Sequence, residues 1–184
     1  MPMNNNKRIL IVDDDEFLRE VYIKNFQDEG FEVLAASDGE EAWGIINSGN
    51  IPDIVFTGIV MPRMTGFELI AKMQADEKLK GIPVAINSHR GRPEDQILAK
   101  QMNVDDFIIQ GTTTPIEAVR RVEALLGIQN KYKVAIVPSK RDATAFVNFL
   151  NKQQGTAYDL SAGEIILEIE PKTEKGEFKI NLKC

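Results

Sequence analysis

The chain has 184 residues, 43% apolar, with 22 basic and 28 acidic side chains and one cysteine. That is enough for one well-buried domain and a small appendage. It leaves no apolar run near the roughly 18 residues that span a bilayer, no apolar signal-peptide core behind residues 1–8, and no internal disulfide, so a cytoplasmic, reducing compartment is expected. The single thiol, Cys184, reads as incidental. Residues 1–130 carry 13 basic and 21 acidic groups, whereas 131–184 carry 9 and 7. Neither part is basic enough to imply nucleic-acid binding.

Five apolar, β-branched runs are the predicted strands: 8–12, 32–36, 54–57, 83–87 and 106–109. They alternate with segments of helical period, the pattern of a parallel sheet covered on both faces. In the first helix Phe17, Val21 and Phe26 are expected to mark the buried face, and in the second Ala42, Ile45 and Ile46. Thr65 with Glu68, and Thr114-Pro115-Ile116-Glu117, are capping signals for two later helices. Trp43 and the methionines at 61, 64 and 73 fall where packing suffices to explain them. Gly127 closes a last helix and 128–131 is a short connection. Beyond it, 133–137 reads as a strand, and Ala143, Phe146, Val147 and Leu150 as a helical stripe. Two more strands, 164–169 and 177–182, flank a turn at 172–176. This βαββ tail, 131–184, is small for independent stability, so packing on the preceding domain or on a second copy of the chain is expected.

Three segments carry the chemistry. Ile9-Leu10-Ile11-Val12 ends in Asp13-Asp14-Asp15; Asp53-Ile54-Val55-Phe56-Thr57-Gly58 leads into Ile59-Val60-Met61-Pro62; and Met64-Thr65-Gly66-Phe67-Glu68-Leu69 follows. Together they resemble the receiver domain of bacterial response regulators, with Asp14, Gly58, Ser88 and Gln110 at that family's spacings. The resemblance covers 1–128. It implies a doubly wound α/β fold, flavodoxin-like, with a five-stranded parallel sheet of order 2-1-3-4-5, to which the tail adds a small α+β extension. It also implies that Asp13 and Asp14, with the backbone carbonyl of Val60, are the magnesium ligands, that Ser88 reads a phosphoryl group, and that Phe107 is the aromatic that reorients on activation. A plain core role for Phe107 is the favoured reading.

Two positions depart from the family. Gly58 stands where it carries the phosphate-accepting aspartate, and Gln110 where it carries a lysine; Gly111 also replaces the proline that usually follows. Glycine offers no nucleophile, and glutamine donates hydrogen bonds without charge. Losing one carboxylate leaves magnesium weakly held or absent, and no cofactor is required. The loop 110–114 is expected to take another shape and to be more mobile.

The degenerate pocket is therefore Asp13, Asp14, Gly58, Ser88, Phe107 and Gln110, with no catalytic residue. The expected function is a pseudo-receiver: a signal-transduction module, not an enzyme, that works by protein contact without phosphorylation. Its partner would be a histidine kinase or another signalling protein, met through 92–102 and 107–126, with a homodimer as another form of contact. The alternative is a phosphorelay regulator with Asp13 or Asp14 as substitute acceptor. A metal-dependent phosphatase lacks its nucleophile, a DNA-binding tail lacks consecutive helices with a basic face, and an anion sensor meets repulsion from Asp13 and Asp14. The three acids also suit the start of a helix, where one would cap. His89 has no second histidine or cysteine nearby for zinc and is expected to face solvent beside Arg90 and Arg92.

Overall fold

The computed structural model describes residues 7–89, 91–128, 132–136, 148, 152, 165–171 and 178–183. The chain divides into two compact units, 1–128 and 129–184. In the first, five strands alternate with five helices: β1 (Arg8–Val12), α1 (Glu16–Asp28), β2 (Glu32–Ala36), α2 (Gly39–Asn47), β3 (Ile54–Thr57), α3 (Gly66–Ala75), β4 (Val84–Ser88), α4 (Pro93–Gln101), β5 (Asp106–Ile109) and α5 (Pro115–Leu125). The sheet is parallel throughout, in the order β2-β1-β3-β4-β5. This is the expected doubly wound arrangement.

Strand alternation gives the sheet two apolar faces. Leu10, Val12, Val55 and Ile86 pack with Ala42 and Ile46 of α2 and with Leu69, Ile70 and Met73 of α3. Ile9, Ile11, Phe56 and Ile108 pack with Tyr22 and Phe26 of α1 and with Ala118, Val119 and Val122 of α5. On that second face Phe56 meets the rings of Tyr22 and Phe26 edge-on at 4.8 and 5.6 Å. Met61, Met64 and Met73 are buried, and Trp43 packs on the first cluster with the Lys72 ammonium over its ring. Packing accounts for all four, as expected.

The helix starts carry the anticipated devices. Thr65 and Thr114 each form a complete capping box, with Glu68 and Glu117. Asp15 caps α1 through the Leu18 N–H, and Asp38 caps α2 through the N–H groups of Glu40 and Glu41. Each cap satisfies backbone donors that the first helical turn leaves unpaired.

The face of α1 differs from expectation. Phe17 is 75% exposed, whereas Tyr22 and Phe26, four residues apart, are buried. Helix α1 begins at Glu16, so Phe17 lies in its first turn, past the carboxyl end of β1. The fourth strand also runs 84–88 rather than 83–87. Pro83 has no N–H for the ladder, and Ser88 extends the pairing by standing opposite Ile109.

The second unit holds β6 (Tyr132–Ile136), β7 (Ile165–Pro171) and β8 (Phe178–Lys183) in an antiparallel sheet of that order. Its register sets Val134 opposite Leu167 and Leu167 opposite Leu182, while Lys133 faces Glu168 and Glu170 faces Lys179. Residues 148 and 152 are helical. Residues 1–6, Arg90, the rest of the 143–150 stripe, the turn 172–176 and Cys184 lie outside the described residues.

Candidate functional site

The carboxyl ends of β1, β3, β4 and β5 converge on a cavity of about 680 Å³, as open parallel sheets generally arrange it. It is lined by residues 13–15 after β1, 58–60 after β3, 87–89 at the end of β4, Arg92 and Asp95 at the start of α4, and Gln110 after β5. Asp13, Asp14, Gly58, Val60, Ser88 and Gln110, chosen from sequence, all meet here.

Asp13 is buried and accepts the Asp15 N–H at 3.0 Å, while its own carbonyl takes the Arg19 guanidinium at 2.7 Å. Burial pushes its carboxyl above the usual range and outweighs that one hydrogen bond; neighbouring Asp14 pushes the same way. Asp14 is exposed. Asp15 is committed to capping α1.

Gly58 is buried at the cavity floor, and its N–H donates to the Val12 carbonyl at 2.8 Å. It is not among the glycines with positive φ, and a Cβ built on it meets nothing nearer than 3.6 Å. Neither the backbone nor the space around it demands glycine. The opposite holds at Gly66, where a Cβ would collide with the Gly58 carbonyl. The Gly66 N–H donates to Ile59 at 2.9 Å and the Thr57 hydroxyl to Gly58 at 2.9 Å, so the start of α3 clamps the loop after β3.

Ser88 is buried and its hydroxyl oxygen accepts the Gly91 N–H at 3.3 Å, which folds the following loop back on the strand end. Gln110 donates its N–H to the Ser88 carbonyl at 3.0 Å, yet both polar atoms of its side-chain amide are buried without a partner. Asn87, 2% exposed, has an unpartnered Nδ2, while its Oδ1 accepts the Tyr22 hydroxyl over a long 3.4 Å. Burial is the main influence raising that phenol's pKa. Buried amide groups without partners are rare, because each costs about 1–3 kcal/mol.

Phe107 does not belong to this pocket. Alternation along β5 turns it away from Ile108 and onto the cluster with Leu10, Val55 and Ile86, where it is half-buried. The core reading therefore holds. Val60 lines the cavity with its side chain 78% exposed. Among the described residues no three His, Cys, Asp or Glu side chains converge, which leaves Asp13, Asp14 and the Val60 carbonyl as the donors at hand for magnesium. His89 is exposed, as expected, and contributes to the lining with Arg92. The loop after β5 turns through a Thr112 N–H bond to the Ile109 carbonyl at 3.1 Å, with no cis peptide among the described residues.

Asn87 and Asp95 were not singled out from sequence. Asn87 had a visible signal: an Asn-Ser pair ends a strand that is otherwise apolar. Asp95 had none, since an acid in a helix's first turn is ordinary.

Residues 9–114 match the family described as response regulator receiver domain. The chain is 36% identical over 121 residues to response regulator GtcR of Aneurinibacillus migulanus, which covers 66% of this chain and 48% of that protein. It is 27% identical over 179 residues to the phosphate regulon transcriptional regulatory protein PhoB of Shigella flexneri, covering 95% of this chain and 70% of PhoB. A putative response regulator from Chloroflexus aurantiacus superposes with a TM-score of 0.62 at 27% identity, over 67% of this chain and 99% of that one. The chain spans about half the length of GtcR.

Proposed function

The chain belongs to the response regulator receiver family, and from that premise we propose that it serves two-component signalling as a bacterial, cytoplasmic pseudo-receiver, regulating a protein partner without being phosphorylated. One observation carries the reading. Position 58 has an ordinary backbone and room for a side chain, and yet it has none, so the fold does not impose the missing nucleophile. Gln110 removes a positive charge from the same cavity. No cofactor is required, and magnesium is held weakly or not at all.

Signalling then runs through contact. Ile97 and Leu98 of α4 and Ile116 of α5 stand 58%, 39% and 61% exposed. They lie within 92–102 and 107–126, the surface proposed to meet a histidine kinase, another signalling protein or a second copy. The test is an amide NMR spectrum before and after adding acetyl phosphate and magnesium. Resonances of 92–126 are expected to stay in place; a concerted shift of them would defeat the reading, because it would show a phosphoryl-driven change of state.

A second reading is favoured by the alignment to PhoB, a transcriptional regulatory protein by name, which extends beyond residue 128. On that reading residues 129–184 bind duplex DNA. Nine basic against seven acidic side chains over 131–184 make a weak electrostatic footprint. A mobility shift with random duplex at low salt separates the two, with no shift expected.

A further inference from the structure

The cavity holds three groups whose needs the fold leaves unmet. Asp13 is 4% exposed, and among the described residues no lysine or arginine makes a salt bridge with it; its one hydrogen bond comes from Asp15. Asn87 is 2% exposed with a free Nδ2, and Gln110 has two free amide atoms. All three line one space, together with Gly58, Ile59 and Val60.

The lining decides the sign of a ligand. Four aspartates, at 13, 14, 15 and 95, face one arginine and one histidine, so an anion is repelled and a cation attracted. Among the described residues no three acidic or imidazole groups converge, so a hard divalent ion would keep most of its water shell and leave the two buried amides unpaired. An ammonium is compact and strongly hydrated, which suits a half-apolar space poorly. A guanidinium is planar, weakly hydrated and rich in donors, and it pairs with a carboxylate and with amide oxygens at once. Gln110 offers Oε1 directly. Asn87 offers Oδ1 after a half-turn of its amide, which gives Nδ2 to the Tyr22 oxygen in exchange.

We propose that this cavity binds a guanidinium group, seated between the Asp13 carboxylate and the amide oxygens of Asn87 and Gln110, and supplied by an arginine of a partner protein or by a small guanidino compound. The proposal rests on the reading that no phosphoryl group is formed here. Its test measures binding alone, so a negative result leaves the phosphodonor experiment standing. Arg92 lines the same cavity and opposes the ligand by like charge.

The experiment titrates the full chain with methylguanidinium chloride against sodium chloride at equal ionic strength, following the side-chain amide signals of Asn87 and Gln110 by NMR. Both are expected to shift saturably with methylguanidinium and to stay in place with sodium. Asp13→Asn is expected to weaken binding on the order of tenfold, the worth of one charge-assisted hydrogen bond. Gln110→Leu, which leaves the Asp13–Asp15 bond intact, is expected to weaken it severalfold, and Arg92→Ala to tighten it. A short peptide with one arginine, compared with its citrulline counterpart, identifies the source: selective binding tighter than methylguanidinium assigns a protein partner, and weaker binding assigns a small compound. Absence of a saturable shift, an equal response to sodium chloride, or unchanged affinity in both Asp13→Asn and Gln110→Leu would overturn the proposal.

Discussion

Restoring the missing carboxylate, Gly58→Asp, turns the empty position into a measurable free energy. The backbone accepts the change, since φ at 58 is ordinary and a Cβ finds its nearest neighbours at 3.6 Å. Replacing glycine at a compatible site stabilises by about 0.4–1 kcal/mol through the unfolded chain. Against this, the new carboxylate faces Asp13 and Asp14. At a separation of about 6 Å and an effective dielectric of about 20, one such pair costs about 3 kcal/mol. Exposure of Asp14 screens the second pair. The variant is therefore expected to be less stable than the natural chain by about 2 kcal/mol in metal-free buffer. Adding magnesium relieves the crowding, and a ligand at a hundred times its dissociation constant returns about 2.7 kcal/mol. Urea denaturation of both proteins, with EDTA and with millimolar magnesium, reads these differences from the midpoints. Equal stability in EDTA, or an equal gain from magnesium in both proteins, would refute the reasoning.

Four further outcomes follow from particular contacts. Gly66→Ala drives a Cβ into the Gly58 carbonyl and is expected to cost about 1–3 kcal/mol, with amide shifts concentrated at 57–60, checked by denaturation and NMR. Phe26→Ala removes a fully buried ring that meets Phe31 and Phe56 edge-on and is expected to cost about 3–5 kcal/mol in the same assay. Burial acts to raise the Asp38 carboxyl's pKa, but the N–H groups of Glu41 and Glu40 and the Arg63 guanidinium prevail and hold it low. Its stabilisation is therefore complete above the ordinary aspartate range and lost as pH falls through the depressed folded value; Asp38→Ala is expected to cost about 1–2 kcal/mol at neutral pH and to flatten the acid limb of a stability profile. Ile97→Ser with Ile116→Ser is expected to leave unfolding within about 0.5 kcal/mol while weakening capture of a kinase or second copy, as pull-down or sedimentation reads it.

The sheet was legible because its signals are local and redundant: β1 is five residues with no polar side chain after Arg8, and two capping boxes fix where α3 and α5 begin. Phe17 was misjudged because helical period alone does not say how far the sheet reaches along the helix. In the site, Asp14, Gly58, Ser88 and Gln110 were placed by their spacing. Asn87 was not, because its importance lies in a bond it fails to make, which only the packed structure discloses. Phe107 took the core place favoured for it and left the pocket, because of the side of β5 on which alternation sets it.

Signalling by contact alone requires that this receiver carry no phosphoryl group. Intact-mass measurement of the natural chain after incubation with acetyl phosphate and magnesium tests it most directly. The unmodified mass is expected throughout. A stoichiometric phosphoryl adduct, stable in acid, lost in base and mapped to Asp13 or Asp14, would contradict it.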